Sequence, residues 1–266
     1  MKIAHPADSW KGQPAENVFI VSEDTGAQVS AGYVVYQYLP SLYPDRPVNV
    51  FFHTEGERAG QYMLFGALIA RARQMRDMNP GEPGRIYTCL DPRDRSMIDF
   101  YSHNGMNCSE REIATHLAIP GGEAHLPLGC STELTPLFTA DQQAAFLERL
   151  RMNDVSGLDA AFLAQLAVTE HFHAIGVFAA GQLAGEILVA GNGAQAELVA
   201  FYVNQGFRRR GIGTAMCRWA LWALSQEGVR SAGARFVTRS LPQKALAKSL
   251  GARETETTAV FPQLFM

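Results

Sequence analysis

Residues 201–221 read FYVNQGFRRRGIGTAMCRWAL. An apolar run ends at Val203, three arginines follow (Arg208, Arg209 and Arg210), and Gly211 and Gly213 precede a helical pattern. A strand that runs through such a loop into a helix is predicted to bind an anion. The first helical N–H groups have no intrahelical partner, and the helix dipole adds about half a positive charge there. Gly211 and Gly213 allow a phosphate to approach the main chain without a Cβ in the way, and arginines beside the turn add charge-assisted hydrogen bonds. The ligand these features predict is a pyrophosphate. A P-loop requires Lys-Ser/Thr after its last glycine, whereas Thr214 and Ala215 stand there. The GxGxxG dinucleotide fingerprint lacks its third glycine, because Met216 occupies that position.

The rest of the composition bounds the partners. The chain has 266 residues, 47% hydrophobic and 18% charged, enough for one large or two ordinary packed domains. A net charge of −3 argues against a general nucleic-acid binder, so the arginine cluster serves one site. Cys89, Cys108, Cys130 and Cys217 show no CxxC pair and no zinc spacing, and no metal site is predicted. The start, MKIAHPADSW, has no apolar signal region. The longest apolar run, residues 174–191, is interrupted by Gln182 and Glu186 and reads as a strand pair turning near Gly181 rather than a membrane span. A cytoplasmic protein is expected, without membrane or nucleic-acid partners.

Working outward from the loop, strands are predicted over 18–22, 28–38 and 48–53, then a helix from Gly60 to about Met78, a strand RIYTCL and a short helix ending at Gly105. The second half repeats this order. HAIGVFAA, LAGEILVAG and ELVAFYV are strands, Gly211 to about Glu227 is a helix, ARFVTR is a strand, and LPQKALAKSL is a helix ending at Gly251. Gly60 thus corresponds to Gly211 and Gly105 to Gly251, an internal duplication. Only the second half begins with two helices, in ADQQAAFLERLRM and LDAAFLAQLAV. The Pro/Gly-rich segment 119–130 is predicted to link domains at 1–118 and 131–266.

With this order around it, YVNQGFRRRGIGTAM resembles the acetyl-coenzyme A loop of the GNAT N-acetyltransferase superfamily, whose pattern is Arg/Gln-x-x-Gly-x-Gly/Ala after a strand ending in Val. Arg208, Gly211 and Gly213 fill it, and Val203 lies five residues before Arg208. The resemblance implies an α/β fold of two tandem acyl-CoA N-acyltransferase-like domains, each a mixed, mostly antiparallel sheet flanked by helices. It also implies acetyl-CoA as acyl donor. Amides from Arg209 through Arg210, Gly211, Ile212 and Gly213 to Thr214 would hold the pyrophosphate, and the edge of Phe201, Tyr202 and Val203 would bond the pantetheine arm. The first half aligns Glu57 and Tyr62 with the Arg and second Gly positions. A glutamate repels pyrophosphate, so this half reads as a degenerate repeat, supplying a wall of the acceptor pocket or a pseudo-dimer partner.

Catalytic expectations follow from the same resemblance. Family members often carry a tyrosine that protonates the departing thiolate. In this chain that register runs from Ser240, a candidate coenzyme contact, to Ala247, where the tyrosine would be. The first half has a tyrosine at its equivalent, Tyr101, a candidate acid acting across the domains as well as a candidate core residue. Glu197, six residues before Val203, stands where histone-acetyltransferase-like members place a glutamate base. If it faces the cleft among apolar neighbours, desolvation raises its pKa; alternatively it is a solvated strand-start residue. The Val203 N–H would hold the oxyanion. His171 and His173 share one face of a strand and read as a partly exposed strand end. The expected activity is transfer of an acyl group to a primary amine, on a small molecule or a peptide, by direct attack in a ternary complex; the alternative is a non-catalytic acyl-CoA-binding protein. The assembly is expected to be a monomer or homodimer.

Overall fold

A computed structural model describes residues 1–40, 43–155 and 157–266. The chain divides into two compact units: residues 1–111 with 258–266, and residues 112–257. This differs from the expected 1–118 and 131–266 division at both ends, and the segment expected as a linker lies inside the second unit. The physical reason is hydrogen bonding. Residues 112–117 pair in the second unit's sheet, and residues 263–265 pair in the first unit's sheet.

In the first unit, β1 (Lys2–Ala4), β2 (Val18–Ser22), β3 (Gln28–Tyr38) and β4 (Val48–Gly56) form an antiparallel meander. Helix α1 (Arg58–Arg76) then leads to β5 (Gly84–Tyr87), parallel to β4, and to α2 (Arg95–His103). On α1, Leu64, Leu68, Ala72 and Met75 recur at helical spacing and bury against Val34, Val50 and Phe52. Beyond β5 lies the end of the last strand, β12 (Arg253–Phe265), with Gln263 opposite Tyr87.

Arg85 holds that insertion in place. It is 1% exposed; its Nε donates to Asn49 Oδ1 at 2.6 Å and its Nη1 to Glu110 Oε2 at 2.5 Å and Gln263 Oε1 at 3.2 Å. The guanidinium stacks over Tyr87 and Tyr43. A buried charge is tolerated only when paired and hydrogen-bonded, so this cluster fixes which residues of β4, β5 and β12 lie side by side.

In the second unit, β6 (Asn107–Leu117) contributes residues 112–117, followed by β7 (Cys130–Leu134), α3 (Ala140–Met152) and α4 (Ala160–Leu166). A capping box between Thr139 and Gln142 starts α3, and Asp159 caps α4. Strands β8 (His173–Ala179), β9 (Gln182–Asn192) and β10 (Gln195–Val203) precede α5 (Ile212–Gln226), β11 (Ser231–Val237) and α6 (Leu241–Ser249). The sheet order is β7-β8-β9-β10-β11-β6, antiparallel except between β10 and β11. Leu198, Ile187 and Ala234 meet Met216 and Ala220 of α5 on one face; Leu188, Ala200 and Tyr202 meet Phe146 of α3 and Leu163 of α4 on the other. No described helix is long and apolar enough to cross a membrane.

His171 departs from the expected exposed strand end: it is 3% exposed. Its Nδ1 lies 2.8 Å from Glu227 Oε2 and its Nε2 2.8 Å from the Gly193 carbonyl, and His173 reaches the same Glu227 carboxylate. Glu170 accepts from the Gly193 N–H beside it. Both ring nitrogens of His171 face acceptors, so only the imidazolium satisfies both. The Gly193 carbonyl, then Glu227, hold its pKa above the ordinary 6.5. The cluster ties the approach to β8, the β9–β10 turn and the end of α5.

Two outcomes follow. Arg85→Met removes the buried guanidinium to which Asn49, Glu110 and Gln263 bond and lowers unfolding stability by about 3–5 kcal/mol, read by chemical denaturation. For His171, a raised folded-state pKa gives a stabilisation fully present below pH 6.5 that is lost as pH rises through the folded value. The stability difference between wild type and His171→Gln, measured in urea, is therefore largest in mild acid and shrinks in alkali.

Candidate active site

The site begins with an irregularity in β10. Its register with β9 shifts between Leu198 and Ala200, leaving Val199 as an extra residue. A bulge of this kind breaks the alternation of side chains. Ala196 and Leu198 face α5, and beyond the bulge so do Phe201 and Val203, while Ala200 and Tyr202 turn to α3 and α4.

The same irregularity opens the sheet. β10 and β11 pair from Gln195/Ser231 to Leu198/Ala234, although both strands continue. Residues 235–237 of β11 stay bonded to β6. A split therefore opens between β10 and β11 beyond Leu198. Asn204 N–H donates to the Ala184 carbonyl at 2.8 Å. By antiparallel alternation Tyr202 also bonds to β9, and the N–H and C=O groups of Phe201 and Val203 point into the split.

At the end of β10 the chain makes a 3-10 turn, Gln205–Phe207, and reaches the three arginines. Arg208 Nε donates to the Val203 carbonyl at 2.7 Å, so this arginine ties the loop to the strand. Arg209 has φ 63° and Gly211 φ 79°, both left-handed. Such a conformation at a non-glycine residue marks a backbone held by its surroundings and is a recurrent sign of a functional site. Arg209, Arg210 and Gly211 are exposed, and Arg210 lies over the Phe207 ring. The amides of Ile212, Gly213 and Thr214 precede the first bond of α5, from Ala215 N–H to the Gly211 carbonyl at 3.1 Å. A Cβ on Gly213 would stand 3.4 Å from Val203 Cγ2, so loop and strand end lie close together. Helix-start amides without an intrahelical partner, two left-handed residues and two solvent-facing arginines suit a pyrophosphate.

The other expected residues fall into distinct places. The Ile212 side chain is buried in the α5 core, leaving only its amide for a ligand. Thr214 Oγ1 lies 2.8 Å from Ser249 Oγ, and Arg218 donates to the Ser249 carbonyl, joining α5 to α6. Ser240 is wholly buried and caps α6 by accepting from Gln243 N–H. The Tyr202 side chain points away from the split because of the bulge. Its hydroxyl donates to Glu186 Oε2 at 2.5 Å, and Glu186 also takes Arg149 at 2.7 and 2.9 Å and Thr135 at 2.9 Å. Burial, with Glu186 adding to it, pushes the Tyr202 pKa far up.

Glu197 is not enclosed by apolar neighbours. It is 40% exposed and its Oε1 lies 3.1 Å from Arg235 Nε. Preceding the bulge, it lies on the sheet face opposite Leu198. Tyr101 is fully buried in the first unit among Phe52, Phe65 and Phe100, with its hydroxyl 3.0 Å from Thr54 Oγ1, and burial raises its pKa to about 12. It is a core residue there. The corresponding strand of that unit, β4, pairs with β3 from Val48 to Gly56 without a register shift. Glu57 stands at the N-cap position of α1, without a side-chain bond to the helix, as Gly211 stands at that of α5. The bulge at Val199 and its consequence for Tyr202 carry no signal in the sequence, because ELVAFYV reads as an unbroken strand.

Residues 136–252 match the model of the Acetyltransferase (GNAT) family. No curated protein matches the chain significantly by sequence. Among solved structures, a GCN5-related N-acetyltransferase from Sphaerobacter thermophilus is 12% identical with TM-score 0.51, over 96% of this chain and 83% of that one. A probable N-acyltransferase from Enterococcus faecalis V583 is 9% identical with TM-score 0.56, over 92% of this chain and 61% of that one. A tandem GNAT protein from the clavulanic acid biosynthesis pathway is 18% identical with TM-score 0.46, over 93% and 82%. The split, the arginine–glycine loop and the match to the Acetyltransferase (GNAT) family model coincide in one stretch of chain, residues 136–252.

Proposed function

We propose that the second unit is an acyl-CoA-dependent N-acyltransferase acting on a primary amine. The observation that carries this reading is the end of β10–β11 pairing at Leu198/Ala234 beside the loop of exposed residues 209–211 that opens α5. When bound, the coenzyme supplies the acyl group as a thioester. The amides from Arg209 to Thr214 hold its diphosphate, with Arg209 and Arg210 adding charge, and Arg208 fixes the loop through the Val203 carbonyl. The main-chain edge of Phe201 and Val203 aligns the pantetheine arm, as an added strand would be aligned. The Val203 N–H, directed into the split, donates to the acyl oxygen as negative charge develops there. Glu197 takes a proton from the attacking amine, whose nitrogen forms the amide bond as the thiol departs. Ala247 offers no hydroxyl to protonate the departing thiolate, so solvent supplies the proton. The missing hydroxyl also favours a second reading, coenzyme binding without transfer.

Calorimetric titration of the full chain with coenzyme A is expected to show one site. Gly211→Val, which puts a β-branched residue at φ 79°, is expected to weaken that binding tenfold or more. An unchanged affinity argues against the loop as the anion site. Glu197→Gln is expected to bind coenzyme A within twofold of wild type while transfer falls on the order of 100-fold, the usual range for a lost general base. Binding without transfer in the wild type, over a broad set of amines, selects the second reading.

A further inference from the structure

Resting on the acyl-transfer reading, we propose that a notch over Gly233 is the acceptor subsite, binding a small hydroxylated primary amine as its ammonium ion between Glu197 and His116.

The notch follows from strand register. Glu197 of β10 lies opposite Gly233 of β11, and Gly233 lies opposite His116 of β6. Directly opposed residues share a face. Ala232, Ala234, Phe236 and Leu117 pack toward α5, so Gly233, Glu197 and His116 project from the other side. Two contacts on that side agree with this placement: Arg235 Nε to Glu197 Oε1 at 3.1 Å and Ser231 Oγ to His116 Nδ1 at 3.4 Å. Adjacent strands lie about 4.8 Å apart, so the Glu197 and His116 backbones stand roughly 10 Å apart. Gly233 between them adds no side chain, and its neighbours on that face, Ser231 and Arg235, lean to His116 and Glu197.

This face is accessible. The core beneath α3 and α4 draws on β8, β9 and β10, and no described residue of β11 or β6 belongs to it. Glu197 and Arg235 are 40% and 57% exposed. The notch also adjoins the split, because Ala234, next to Gly233, is the last β11 residue paired with β10.

The side chains define the ligand. A carboxylate forms one wall and suits an ammonium ion. The opposite wall, an imidazole backed by the Ser231 hydroxyl, can both donate to and accept from a ligand hydroxyl. Arg235 already faces Glu197, so its charge is already compensated. A ligand carboxylate is therefore disfavoured, and an apolar amine offers the imidazole no hydrogen bond. His116 reaches this unit through the strand contributed by the first half of the chain.

The test uses the full chain saturated with coenzyme A, with 2-aminoethanol and 2-amino-1,3-propanediol as probes and n-butylamine and glycine as controls. The His116 ring signals in NMR, identified by their loss in His116→Ala, are expected to shift with both hydroxylated amines and not with the controls. In transfer assays with acetyl-CoA, His116→Ala is expected to raise KM for the hydroxylated amines tenfold or more, leaving kcat within threefold and coenzyme affinity unchanged. His116→Gln, which keeps a donor and an acceptor, is expected to recover part of the loss. Ring signals that ignore the hydroxylated amines while coenzyme A binds, or an unchanged KM, overturn the subsite alone. Equal shifts with butylamine or glycine overturn the substrate class. Failure of coenzyme A to bind overturns the acyl-transfer reading itself, and the subsite falls with it.

Discussion

One extra residue in one strand governs the candidate site. Val199 cannot take a place in the β9–β10 ladder, so β10 bends and its hydrogen bonds to β11 stop at Leu198 and Ala234. Unpaired main-chain groups in a sheet interior are costly unless something bonds to them. A split of this kind is thus a standing demand for a ligand with its own donors and acceptors. The Val203 carbonyl is met from within the chain by Arg208. The rest of the edge faces the opening, where an extended amide-containing arm can bond as a strand would.

The first unit shows what the same order of elements does without that residue. Its β4 keeps an unbroken register with β3, a glutamate stands at the N-cap position of the following helix, and Phe52, Phe65, Phe100 and Tyr101 fill the interior beside it. Aromatic rings there contribute packing and give a small ligand nothing to bind. The energetic emphasis accordingly moves from the site to structure: the buried Arg85 cluster lies in this unit, and it secures residues from distant parts of the chain.

Much of this was legible from residue order. The three arginines and two glycines located the loop, and the 3.6-residue and two-residue periods located the helices and strands around it. Local patterns fail where long-range pairing decides. ELVAFYV alternates well enough to hide a bulge, so strict alternation would put Tyr202 on the Leu198 face, whereas its hydroxyl is buried against Glu186 on the other. Glu197 reads either as a desolvated cleft residue or as a solvated strand start, and only its neighbour in space, Arg235, shows a half-exposed, ion-paired carboxylate. His171 looks like a frayed strand end until Glu227, far along the chain, is placed beside it. The unit boundaries were hidden for the same reason, since no composition shift marks a strand that crosses to the other unit.

That crossing has a consequence for biosynthesis. As the chain leaves the ribosome, the first unit emerges with β5 lacking its outer neighbour, and residues 258–266 arrive only after the whole second unit has been made. Contacts of such sequence separation form slowly. In the interval an open strand edge is exposed to other nascent chains, a known route to misassembly. The polypeptide is therefore committed to maturing as one piece, and a nick or stop codon near its end would damage the part synthesised first.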